Sequence, residues 1–198
     1  DKTVQYPFGY GLSYTEFEQK MGELEEKDGQ ISVDVEVTNS GDVAGKDVVE
    51  VYYKPPYTNG GIEKSSANLI EFAKTDLLQP GESQTVTVTF SIEDMASYDE
   101  NNAKAYVLEK GDYVISINSD SHTVLDQKTY TADTDVVYEE ENKRVSDDTA
   151  ATNVFEDAKG DVTYLSRADH FANYKEATAE PASAELGEPY ASESVSYT

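Results

Sequence analysis

Carboxylates are the reactive side chains that this sequence offers in quantity: 40 Asp and Glu, against 15 Lys and Arg, 2 His and no Cys. Two opposed carboxylates across a cleft can cleave a glycosidic bond, and clustered carboxylate oxygens can hold calcium. With so many to draw on, adjacency alone identifies neither. Glu139-Glu140-Glu141 and Asp147-Asp148 are the densest runs. Neither follows a calcium-loop spacing, and solvated charge explains both. Asp99-Glu100-Asn101-Asn102 and Asn118-Ser119-Asp120-Ser121 read as turns, which favour Asn, Asp and Ser. His122 and His170 stand apart, without the paired spacing of a metal site, and read as surface or loop histidines. No Gly-x-Ser-x-Gly frames a nucleophilic serine, and Gly9-Tyr10-Gly11 lacks the third glycine of a dinucleotide turn. Without Cys there are no disulfides, thiolate nucleophiles or zinc–sulfur sites, and the compartment stays open. No catalytic residue, metal ligand or cofactor is expected from these patterns.

The aromatic complement is 15 Tyr and 6 Phe without Trp. Tyr52, Tyr53 and Tyr57 are candidates for a sugar-stacking platform. Strand alternation instead puts one of Tyr52 and Tyr53 in a core and the other outside. The net charge is 15 − 40 = −25, which repels a phosphate backbone and disfavours anionic lipid. No run approaches the ~18 apolar residues of a membrane-spanning helix, so neither nucleic acid nor membrane insertion is expected.

The elements that position these residues are short strands. Ile31, Val33, Val35 and Val37 alternate with polar neighbours, as do Val86, Val88 and Phe90 with Thr85, Thr87 and Thr89. Residues 47–53 form another run, stopped by Pro55-Pro56. Further strands are expected near residues 69–78, 106–108, 113–118 and 124–130. Ser91 is placed to cap one helical turn over residues 91–96, with Asp94 three residues on. Gly111-Asp112-Tyr113 fits a tyrosine corner or, equally, a Tyr that simply packs. About seven short strands, with turns between them and no long helix, make an all-β sandwich of the immunoglobulin or fibronectin type III kind.

After Ala132 the composition changes. Residues 133–148 hold seven acids against Lys143 and Arg144, and residues 176–198 hold five Glu with no basic side chain. Residues 153–174 carry Phe155, Tyr164, Leu165 and Phe171, too apolar for a pure linker. The expected division is a lead-in over residues 1–13, a sandwich over 14–132 and an acidic extension over 133–198. The chain opens on Asp1 without a leader pattern and is expected to be a piece of a longer protein.

Tyr6-Pro7-Phe8-Gly9-Tyr10-Gly11-Leu12-Ser13-Tyr14-Thr15-Glu16-Phe17 resembles the Pro-Phe-Gly-x-Gly-Leu-Ser-Tyr-Thr-x-Phe signature of family 3 glycoside hydrolases. In that β-glucosidase family the signature leads from an α/β sandwich domain into a fibronectin type III-like domain. Residues 35–45, 48–52, 78–83, 98–99 and 111–114 are similar to that domain's later landmarks, in order. Residues 155–167 are similar to a segment of members with permuted domain order, in which the catalytic barrel follows.

The resemblance implies a non-catalytic accessory domain of a β-glucosidase-like enzyme that retains configuration at the sugar. The family's nucleophile, an Asp in Ser-Asp-Trp, has no counterpart in a chain without Trp. Its acid/base Glu lies upstream of Tyr6, and its Lys-His motif is absent, so the chain alone is expected to be inactive. The implied partners are the catalytic domains of the same polypeptide and, for the parent, a β-glucoside or oligosaccharide. Tyr6, Pro7, Phe8, Tyr10, Leu12 and Tyr14 are the first candidates for the domain interface. Phe155, Tyr164, Arg167 and Phe171 are the second. An independent carbohydrate-binding or surface adhesion module is the alternative, although it has no need of a domain-exit signature.

Overall fold

The structure is a computed structural model that describes residues 4–179. The chain divides into two units, residues 1–154 and 155–198. In the first unit, β1 (Phe17–Lys27), β2 (Gln30–Asn39) and β5 (Ser83–Ser91) form one antiparallel sheet in the order β1-β2-β5. A second sheet runs β4-β3-β8-β9, from β3 (Val48–Lys54), β4 (Asn68–Lys74), β8 (Gly111–Asp120) and β9 (Thr123–Ala132). A small third sheet joins β6 (Ser97–Tyr98), β7 (Tyr106–Leu108) and β10 (Val136–Tyr138).

Alternation decides the core. Ile31, Val33, Val35 and Val37 of β2 meet Val86, Val88 and Phe90 of β5 on one inner face. Val49, Val51 and Tyr53 of β3 meet Tyr113, Ile115 and Ile117 of β8 on the other. All belong to one buried cluster, so the two sheets share a single core. Burying each such side chain is worth about 1.5–3 kcal/mol, which makes this alternation the main source of stability. Val114 takes the opposite parity and faces outward.

Local chemistry closes the corners. Tyr113 donates from its hydroxyl to the Glu109 carbonyl at 3.0 Å, so the tyrosine corner forms. Gly111 has φ of 138°, and a Cβ there would sit 3.1 Å from Pro56, so only glycine fits without strain. Lys64, buried in the loop that follows Pro56, donates to the Pro56 carbonyl at 2.9 Å and pairs with the Glu109 carboxylate. That pairing fastens the loop, because a buried ammonium is tolerated only with partners.

Four details depart from the sequence reading. The turn after β5 is a 3₁₀ helix over Ile92–Met95, and Ser91 makes no side-chain capping bond. Strand β1 was not foreseen, since its Glu-rich pattern is mostly exposed and a bulge between Met21 and Leu24 breaks the period. The boundary at residue 132 falls between β9 and β10, and the chain beyond it returns to the sandwich. There Val136–Tyr138 pairs with β7, Arg144 stacks 3.9 Å over the Tyr106 ring, and the Val145 amide bonds Glu93. Of the alternating pair, Tyr53 joins the core and Tyr52 lies on the outer side of its sheet, yet Tyr52 is only 2% exposed. Its hydroxyl donates to Glu50 at 2.9 Å, under cover of the lead-in.

The second unit, described through residue 179, has a short 3₁₀ turn at Glu156–Ala158 and one helical turn at Tyr174–Ala177. The linker expected over residues 176–198 falls largely outside the described residues.

Candidate functional site

The lead-in is fixed to the sandwich at both of its ends. Near the strand, Asn39 is wholly buried and its amide donates to the carbonyls of Val43 and Leu78 at 2.8 and 3.0 Å. Its Oδ1 accepts the Thr15 hydroxyl at 2.8 Å and the Gly41 amide at 3.2 Å. Gly41 lies against Thr15 so closely that a Cβ would displace it. Ser40 and Gly41 also donate their amides to the Glu16 carbonyl.

Further toward the N-terminus, Tyr10 donates its amide to the Pro7 carbonyl at 3.0 Å, and Gly9 adopts φ of 85°. That is the geometry of a type II turn, whose third residue needs a positive φ. A Cβ on Gly9 would lie 2.5 Å from the Glu50 carboxylate, so glycine serves both the turn and the close approach. The Ser121 amide, in the turn between β8 and β9, donates to the Phe8 carbonyl at 2.8 Å. The lead-in therefore runs over the outer side of the β4-β3-β8-β9 sheet.

With the backbone held down, the large side chains point away. Tyr6, Phe8, Tyr10, Leu12 and Tyr14 are all exposed, Tyr14 at 98%, and Pro7 is half-buried. The Tyr6 and Tyr10 rings meet with centroids 5.2 Å apart. Five large apolar side chains thus stand within nine residues, on a fixed backbone and turned to solvent.

Beneath the lead-in, the strand register sets out the outer face in rows. Glu50 stands between Phe72 and Asn118, with Val124 beyond, and Tyr52 between Leu69 and Ser116, with Gln127 beyond. Phe72 and Val124 are 54% and 50% exposed. Tyr52, Ser116 and Asn118 are buried, and a cavity of about 470 Å³ opens beside them, lined also by His122 and Gln127. Burial pushes the Tyr52 phenol pKa well above its ordinary value, and the Glu50 carboxylate adds to the shift. Among the described residues, no group of three or more His, Cys, Asp or Glu is placed to hold a metal ion.

The second set of candidates lies in the other unit. Phe155, Tyr164 and Phe171 are exposed and Arg167 is half-buried. Lys159 sits 4.6 Å over the Tyr164 ring, and Asn173 donates to the Thr163 carbonyl at 3.0 Å. None of residues 155–179 is buried. The sequence reading missed Phe72 and Val124, which join the first surface only through pairing. Their single signal was the parity they share with Glu50 and Asn118.

Two antiparallel sheets around one core, with a tyrosine corner, define the fibronectin type III class. Residues 47–121 match the model of the fibronectin type III-like domain family. A β-glucosidase of Ruminococcus albus is 36% identical over 176 residues, which covers 85% of this chain and 18% of that protein. Among solved structures, β-glucosidase 3B of Thermotoga neapolitana is 34% identical, with a TM-score of 0.61 over 68% of this chain and 18% of that one. A family 3 β-glucosidase of Bifidobacterium adolescentis is 27% identical, with a TM-score of 0.60 over 66% of this chain and 19% of that one. The chain carries a fibronectin type III-like domain of the kind found in the family 3 β-glucosidases. It spans less than a fifth of the length of these relatives.

Proposed function

We propose that this chain is a non-catalytic accessory module of a longer β-glucosidase, in which it braces the catalytic domains. The parent would hydrolyse terminal β-linked glucosyl residues with retention of configuration, using carboxylates that lie outside this chain. The observation that carries the reading is the lead-in, with its backbone pinned by Asn39 and Ser121 and its aromatic row facing outward. A free-standing module would expose that row to water, whereas a domain joined at its start would cover it. Of the sugar-platform candidates Tyr52, Tyr53 and Tyr57, the first two are buried and the third half-buried, which speaks against an independent carbohydrate-binding module.

On this reading residues 1–13 form the passage from a preceding domain, and the chain past residue 154 leads toward a following one, as in the permuted domain order. Phe155, Tyr164, Arg167 and Phe171 are its proposed contacts on that side. The test is turnover of a chromogenic β-glucoside by the 198-residue chain and by the full-length protein. Hydrolysis by the full-length protein alone is the expected result. Activity of the short chain that vanishes on substitution of a single Asp or Glu would refute the accessory role.

A further inference from the structure

The two outer faces of the sandwich differ in kind. On the β1-β2-β5 sheet the outward residues are Glu18 and Lys20, then Ser32, Asp34, Glu36 and Thr38, then Thr85, Thr87 and Thr89. Five of them pair across the strands: Ser32 with Thr89 at 2.8 Å, Thr38 with Ser83 at 2.7 Å, and Thr87 donating to Asp34 at 2.6 Å. Such a face is complete in water. The β4-β3-β8-β9 sheet instead presents Phe72, Leu69, Val114 and Val124 outward, around a floor of buried polar groups. Asn118 is 2% exposed, and its Oδ1 has no hydrogen-bond donor although it lines the adjoining cavity. A buried acceptor without a donor is destabilising, and native structures hold few of them.

We infer that the outer face of the β4-β3-β8-β9 sheet, together with the lead-in that crosses it, is the docking surface for the domain that precedes this lead-in in the same polypeptide. The inference rests on the accessory-module reading and adds to it which face is covered and by what. The path of the chain selects the occupant. Phe8 is hydrogen-bonded to Ser121 on this sheet, and the seven residues before it span at most about 25 Å, so a domain that precedes them starts on this side of the sandwich. That tether gives an effective concentration on the order of millimolar, which a free partner rarely reaches. The docked surface is apolar where it meets Tyr6, Phe8, Phe72 and Val124. It brings an N–H or O–H donor toward Asn118.

Thiol accessibility tests this on the full-length protein, because residues 1–198 contain no cysteine of their own. F72C and V124C report the docking face and T85C the opposite one. All three positions are exposed in the structure, so the substitutions leave the core intact. Peptide-resolved labelling by a maleimide, normalised to the urea-unfolded protein, is expected to be about tenfold or more slower at positions 72 and 124 than at 85, since a covered thiol reacts only through local opening. The ratio should be the same at nanomolar and micromolar protein. Equal labelling at all three positions overturns the inference. So does protection that appears only at micromolar concentration, which would make the occupant a second copy of the chain. Hydrogen exchange on the unsubstituted protein reads the same surface if a variant folds poorly, with slow amides at residues 6–10 and 120–124 expected. A full-length protein without β-glucosidase turnover would sink the accessory-module reading instead, whatever the labelling shows.

Discussion

Glu109 is shared by two parts of the sandwich: its carbonyl takes the Tyr113 hydroxyl, while its carboxylate holds Lys64 and with it the loop after Pro56. Tyr113→Phe removes one neutral hydrogen bond and leaves the carbonyl short of a donor, so it is expected to lower stability by about 1 kcal/mol in urea unfolding. The phenols set an alkaline limit. Burial raises the pKa values of Tyr52, Tyr53, Tyr113, Tyr130 and Tyr138 above the ordinary value of 10.0. Below pH 10 both states hold these protons. Above it the unfolded phenols ionise while the folded ones resist, so stability falls as pH rises, and Tyr113→Phe should flatten that fall. Asp99 works at the other end. Burial opposes its charge, but amides of Asn102, Ala103 and Asn101 win and keep its carboxyl below the usual range. Its contribution is present above about pH 4 and lost as pH falls through the depressed value, so Asp99→Asn should show a shallower acid limb.

Strands were legible where one face is buried and the other wet, as in β2 and β5, because period two then survives in the residues themselves. Val35→Asp puts an unpaired carboxylate into the core and is expected to unfold the domain, whereas Glu36→Asp should shift urea stability by less than about 0.5 kcal/mol. Equal tolerance at the two positions would contradict the assigned faces. β1 and β10 were not legible, since an exposed edge strand and a three-residue strand each bury too little to impose a pattern. The aromatic row of the lead-in was visible as residues. Its cover over Glu50 and Tyr52 was not, because it depends on Ser121, which bonds the Phe8 carbonyl from the far end of the chain's strand order. Parity alone put one of Tyr52 and Tyr53 outside; the structure makes it Tyr52, and the path of the lead-in explains why outside is not wet.

The whole molecule carries −25 in 198 residues. Self-repulsion of this kind is screened over about 10 Å at 0.1 M salt. Raising NaCl from 20 to 500 mM is therefore expected to raise the Tm of the chain by a few degrees in calorimetry. A Tm that stays flat or falls would mean that local ion pairs such as Arg144–Asp147 outweigh the net repulsion.

The pairing of Glu50 with Asn118 also has a consequence in time. Strand β3 leaves the ribosome 68 residues before its partner in β8, a delay of about 3–14 s at ordinary elongation rates of 5–20 residues per second. Through that interval it has only the hairpin partner β4 beside it, and its other edge offers free amides and carbonyls to any nascent neighbour. Lys54 and the Pro55-Pro56 pair stand at the end of this edge, where a charge and two residues without amide protons discourage a stray strand from extending the ladder. The residues that end the strand in the finished fold thus also guard it while the fold is still being made.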